Sequence, residues 1–147
     1  MSALGQVVSL AISEAKGAPM VTVEDVAAAA GLGLVGDRYH GTRHRHVSVQ
    51  AADDLSVVSN SLGSDISALA TRRNITVSHG PLPTQPGSHI TIGDVGLEVV
   101  RIAAPCRVMD DQIAPGARAA LRRRGGVICR VLRGGVISLG DAASAEA

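Results

Sequence analysis

Cys106 lies in Pro105-Cys106-Arg107-Val108-Met109, directly after an apolar run over 95–103 that reads as a strand, so it falls in a loop at the mouth of a sheet. A guanidinium beside a cysteine favours the thiolate, the form that attacks, carries sulfur or ligates a soft metal. The competing reading is an inert core thiol, because free cysteines are among the most buried residues. Cys129 shares a strand face with Val127 and Val131 and reads as core. The two cysteines sit in such different settings that no framework disulfide is suggested, and both are expected to be reduced.

Two further stretches carry polar groups suited to a ligand. Gly36-Asp37-Arg38-Tyr39-His40-Gly41 joins backbone freedom to an acid, a base and a proton donor, an arrangement able to meet an anion. The same residues also read as a tight turn stabilised by Asp37, and they lack the Lys-Ser/Thr of a phosphate loop. Arg72-Arg73-Asn74 lies between a helix end and a strand beginning at Ile75. An arginine there can grip a phosphate with parallel hydrogen bonds, and an asparagine can read a heterocycle edge. Alternatively, the arginines offset the negative end of the helix dipole. His40, His44, His46, His79 and His89 show neither an i, i+4 helical pair nor a Cys-x-x-Cys partner, so no zinc site is expected. There is no nucleophile elbow and no dinucleotide fingerprint.

The elements that must position these residues are short. Residues 7–12 and 20–26 read as strands, 47–49 as another, and the glycines at 31, 33, 36 and 41 shape the loop between. Ala51, Leu55, Val58 and Leu62 mark one face of a helix that Gly63 ends, with Ser64 placed to cap a further short helix bearing Ile66, Leu69 and Ala70. Hairpins are expected around Gly93-Asp94, between 89–92 and 95–100, and around Gly134-Gly135, between 127–133 and 136–139. The pattern predicts a mainly β fold, a closed or partly open barrel with two or three short helices, in one domain over 1–147. The core spans about 5–141, and 142–147 reads as a frayed tail.

Composition narrows the function. A chain of 147 residues suits one core, and its net charge of +1 gives no nucleic-acid footprint. Tyr39 is the sole aromatic residue, which removes the stacking platforms of single-strand binders. No apolar stretch is long enough to span a membrane and no secretory signal precedes the first strand, so a cytoplasmic protein with no nucleic-acid or membrane partner is expected.

In order and spacing, these pieces resemble the MOSC domain, named after the C-terminal part of molybdenum cofactor sulfurase. The resemblance is carried by Gly36 through Gly41, His46-Val47-Ser48, Arg72-Arg73-Asn74-Ile75, Pro86-Gly87, Ile92-Gly93-Asp94, Pro105 through Met109, Gly126-Val127, Arg130-Val131-Leu132 and Gly135 to Gly140-Asp141. It implies a barrel in which Cys106 carries sulfur or ligates the molybdenum of molybdopterin. It also implies that Arg72 and Asn74 contact the pterin and its phosphate, with Arg73, His40 and Asp37 beside them. The chain departs from the pattern at Tyr39, where many members have a second histidine, and at His46, where many have glutamine. Three functions follow from the resemblance. The first is a cofactor-binding protein reducing N-hydroxylated compounds with electrons from a separate electron-transfer protein. The second is a sulfur carrier charged by a separate cysteine desulfurase, on which any pyridoxal phosphate would reside. The third is a non-catalytic binding module.

Overall fold

The computed structural model describes residues 2–63, 65–103, 116 and 124–146. In chain order the strands are β1 (Ser2–Ile12), β2 (Val21–Thr22), β3 (Asp25–Ala29), β4 (Gly33–Leu34), β5 (Val47–Ala51), β6 (Ile75–Val77), β7 (His89–Ile92), β8 (Val95–Ile102), β9 (Val127–Arg133), β10 (Gly135–Ser138) and β11 (Ala142–Glu146). The helix α1 (Ala52–Leu62) separates β5 from β6.

Alternation of apolar side chains builds the barrel wall. Val95, Leu97 and Val99 of β8 point inward, as do Ile90 and Ile92 of β7, and the interior also takes Val47 and Val49 of β5 with Ile75 and Val77 of β6. Period-two patterning puts one side of each strand in the core. Hydrogen bonding runs β11-β7-β8-β9-β5-β6-β1, and the further β11–β1 pairing closes seven strands into a ring, with β2 attached to the far end of β1. Among the described residues only β5 and β6 pair in parallel, and their connection contains α1, as a parallel pair requires a crossover. Leu55 and Val58 turn inward from α1, Asp53 and Asp54 sit in its first turn where the dipole favours them, and Gly63 ends it at φ +69°.

The mainly β barrel is therefore as expected, and Gly93, at φ +56°, turns the chain between the paired residues Ile92 and Val95. Four expectations are corrected. Residues 142–146 are not frayed: they form β11, hydrogen-bonded to β7 and β1, because the barrel needs a strand to join those edges. The segment 20–26 is divided between β2 and β3, which belong to different sheets. The glycines at 134 and 135 do not make a hairpin, since β9 pairs with β8 and β5 whereas β10 pairs with β3 in a separate sheet ordered β10-β3-β4. A Cβ at Gly134 would stand 2.6 Å from the Ala28 carbonyl oxygen, so glycine is needed there to let the chain cross between sheets. Finally, α1 is the single helix among the described residues; Ile66, Leu69 and Ala70 lie in irregular chain and turns, and Ser64 is outside the described residues.

The outward faces of β5 and β6 are buried as well. Gln50 donates from Nε2 to Thr76 Oγ1 and to the Ala68 carbonyl, and Thr71 Oγ1 donates to Gln50 Oε1 at 2.6 Å. A polar layer thus joins the barrel to the segment that leads into Arg72-Arg73-Asn74, satisfying groups that burial would otherwise leave costly.

Gly126, at φ +96°, brings its backbone against β5: an added Cβ would collide with the Val49 carbonyl. Gly126→Ala should therefore destabilise the barrel by about 2–5 kcal/mol, the sum of left-handed strain and overpacking, read from urea unfolding midpoints.

Candidate functional site

At one end of the barrel, three chain segments meet around a buried carboxylate. Asp37 Oδ1 accepts from the Ser13 amide at 3.1 Å, from Asn74 Nδ2 at 3.2 Å and from Arg38 Nη1 at 3.3 Å, while Oδ2 accepts from the Tyr39 amide at 3.2 Å. Asn74 is used to capacity. Its Nδ2 also donates to the Ala11 carbonyl, its Oδ1 accepts from the Ser48 amide and hydroxyl, and its own amide donates to Ser48 Oγ. An amide has two donors and an acceptor oxygen with two lone pairs, so no edge of Asn74 remains for a ligand.

Asp37 and Arg38 form a buried ion pair, with side-chain exposures of 0% and 6%. Arg38 also reaches Met20 Sδ at 3.4 Å and the Arg72 carbonyl at 3.5 Å. Arg72 is the one non-glycine residue at positive φ among the described residues, +59°, and it donates from Nη2 to the Ala18 carbonyl at 2.8 Å. A strained backbone of this kind persists where surrounding contacts over-determine it. Here the Asn74 anchor on one side and the Ala18 bond on the other hold it.

Tyr39 gathers cations. The guanidinium carbon of Arg38 lies 4.6 Å from its ring centroid and that of Arg45 lies 4.4 Å away, both within cation–π range. Arg38 has Asp37 as counter-charge. Arg45 has no carboxylate partner among the described residues, and its Nε is buried with no hydrogen bond. Arg43, His40 and His44 are exposed on the same loop.

His46 fastens that loop to the barrel. The Val131 amide donates to Nδ1 at 3.0 Å, so that nitrogen is unprotonated, and Nε2 carries the proton it donates to the Thr42 carbonyl at 2.8 Å. Burial holds His46 below the usual histidine range. The Thr42 bond opposes that shift, and the charges of Arg130, His40 and His44 reinforce it. Cys129 is sealed in the core beneath, its thiol pushed well up by burial and further by Glu98, which suits packing and not reactivity.

The structure thus brings Asp37, Arg72 and Asn74 together, with Asp37 and Asn74 facing inward as framework and Arg72 part-exposed at the rim beside Arg38. Arg73 is buried elsewhere: its Nε donates to the Gly125 carbonyl at 2.8 Å. The Ala103 amide donates to the Gly126 carbonyl, so both contacts lie at the neck of the segment that carries Cys106, a residue outside the described ones. Ser13 and Arg45 were not singled out from the sequence, and Ser48 entered only as part of His46-Val47-Ser48, with no role given to it. Nothing local marks Ser13, whereas the position of Arg45 near the only aromatic residue was a signal available to be read.

A small closed barrel with a glycine-rich, cation-bearing loop at one end is the class of protein these features define. The family model described as the MOSC domain matches residues 36–144, and the chain belongs to that family. No curated protein matches the sequence. The YuaD protein from Bacillus subtilis has the same fold, with a TM-score of 0.85 at 19% identity over 100% of this chain and 97% of that one. YiiM from Geobacillus stearothermophilus gives a TM-score of 0.74 at 18% identity, over 97% of this chain and 75% of that one. YiiM from Escherichia coli gives 0.71 at 14% identity, over 97% and 70%.

Asp37→Ala should cost about 3–5 kcal/mol in chemical denaturation, because it strands the buried Arg38 charge. His46 sets a pH dependence whose sign follows from its lowered pKa. The unfolded chain binds the proton more readily, so the His46 contribution is intact above the ordinary histidine value of 6.5 and is lost as pH falls through and below it. Thermal midpoints should drop on acidification from pH 7.5 to about pH 5. His46→Asn, whose Oδ1 can still accept from the Val131 amide, should flatten that part of the profile.

Proposed function

We propose that this chain binds the molybdenum cofactor, with Cys106 as the thiolate ligand to molybdenum or the carrier of its sulfur. The observation that carries the reading is Arg45, a guanidinium held against Tyr39 beside a second one, with a buried Nε–H that no described residue accepts. Two cations drawn to one ring repel each other, and an anion lowers that cost. The phosphate of a pterin cofactor is such an anion, and planar guanidinium groups suit it. These residues therefore fit the group.

Arg45 and the free donors of Arg72, with His40 on the exposed rim, would hold the phosphate. Asp37 and Asn74 act one layer down, fixing Arg38 and Arg72 through the bonds described above. Arg73 orients the neck from which the Cys106 segment departs, three residues beyond Ala103. When bound, the cofactor supplies electron transfer to substrate. The reaction class is reduction of N-hydroxylated compounds, in which electrons from a separate electron-transfer protein and protons from solvent release the hydroxyl oxygen as water.

Expression in a cofactor-producing host, followed by metal and pterin analysis, tests this. Wild type should retain molybdenum, Cys106→Ala should lose it, and Arg45→Ala should release the pterin more readily at high salt. Full molybdenum occupancy in Cys106→Ala would remove the ligand role. A mass gain of one sulfur after incubation with a cysteine desulfurase and cysteine, absent in Cys106→Ser, would assign sulfur carriage instead.

A further inference from the structure

A second site lies on the other side of the Ala18 bond. Ile12, Ala18, Pro19, Val21 and Val23 line a cavity of about 320 Å³, with Glu14 as its charged member. The volume falls in the range of small-molecule sites, about 300–1,000 Å³. Its wall is the connection between β1 and β2, which has no regular structure of its own yet is held at Ser13, Ala15, Ala18 and Met20. Ser13 Oγ shares its one proton between the Ala15 and Ala18 carbonyls, Arg72 Nη2 donates to the Ala18 carbonyl, and Arg38 Nη1 reaches Met20 Sδ. Gly36 closes another side at φ +89°, with an added Cβ 3.4 Å from Ile12 Cδ1.

We infer that this cavity is a binding site for a small organic cation, an apolar body seated on Ile12, Val21 and Val23 with a protonated amine at the Glu14 carboxylate. Three observations lead there. The cavity is present without a ligand, and hydrogen bonds hold the Ala15 and Ala18 carbonyls and the Met20 sulfur behind it. Val21 is 59% exposed, a valine held open to solvent beside further apolar surface. Glu14 is the one charged residue that lines the cavity, and of the guanidinium groups behind its wall Arg38 is paired with Asp37 while Arg72 is engaged by the Ala18 carbonyl. The donors of Ser13, Arg38 and Arg72 that reach this wall are directed to its carbonyls and sulfur, whereas Glu14 makes no hydrogen bond or ion pair with any described residue, leaving an acceptor for an arriving N–H. A neutral ligand would fill the volume without using that charge, and a carboxylate would be repelled by it.

The test is titration of the full chain with benzylamine, benzyl alcohol and benzoate, followed by the NMR methyl signals of Ile12, Val21 and Val23. Benzylamine should shift these methyls saturably and bind tighter than benzyl alcohol, with benzoate weakest. Glu14→Gln should weaken benzylamine about two- to fivefold, the scale of an exposed charge pair, and leave benzyl alcohol unchanged. Ala18→Leu should abolish binding of both while preserving the thermal midpoint, since the carbonyl that Arg72 uses is backbone. No saturable shift at these methyls, or equal benzylamine affinity in wild type and Glu14→Gln, overturns the assignment; should Ala18→Leu fail to fold, the Glu14 comparison decides alone. Molybdenum plays no part in the titration, so its failure leaves the cofactor reading intact, and loss of metal binding leaves this site standing.

Discussion

The buried carboxylate of Asp37 is the constraint around which this end of the barrel is organised. A charge removed from water must be met by donors and a counter-charge, and here they come from Ser13, Tyr39, Asn74 and Arg38. These donors come from three parts of the chain: Ser13 from the exit of β1, Arg38 and Tyr39 from the loop after β4 that carries Asp37 itself, and Asn74 from the entry to β6. Satisfying one carboxylate therefore fixes the relative positions of three connections. It also permits the adjoining loop to hold a surplus of positive charge, since Arg38 is neutralised internally while Arg45 is not.

The barrel makes that meeting possible. β1 is long enough to pair with β11 at one end and with β6 and β2 at the other, so it delivers Ser13 to the rim where β5 and β6 begin. The parallel β5–β6 pair places Ser48 beside Asn74, and the polar layer of Gln50, Thr71 and Thr76 fixes the segment from which Arg72 and Arg73 emerge. Arg72 links two sites in consequence. Its backbone borders the Asp37 cluster, and its guanidinium closes the wall of the apolar cavity through Ala18.

Some of this was legible in the chain. Gly63 after Ala51, Leu55, Val58 and Leu62 gave the helix and its end, and Gly93-Asp94 between alternating runs gave the β7–β8 hairpin, because both signals are local and complete within a few residues. Gly134-Gly135 carried the same turn chemistry and ended otherwise. β9 was already committed to β5 and β8, and burial of Ile137 beside Val26 and Ala28 drew the next strand to β3. The tail 142–147 read as frayed because chain ends commonly are, but the closing position in the ring supplies hydrogen bonds on both edges of 142–146.

For the site, residue types announced which side chains could meet an anion: the polar groups of Gly36 through Gly41, Arg72-Arg73-Asn74, and the motif order that resembles the MOSC domain. Sequence also fixed the shortage of aromatic residues, which makes Tyr39 the sole ring able to collect two guanidinium groups. Tertiary structure decided which polar atoms remain available. Asp37 and Asn74 could equally have faced a ligand until contacts from residues 11, 13 and 48 consumed them, and Arg45 gained its unmatched donor only when the loop folded against β9 through His46. Hydrogen-bond capacity is a property of a residue, but its occupancy depends on neighbours far away in the chain, and no local pattern records them.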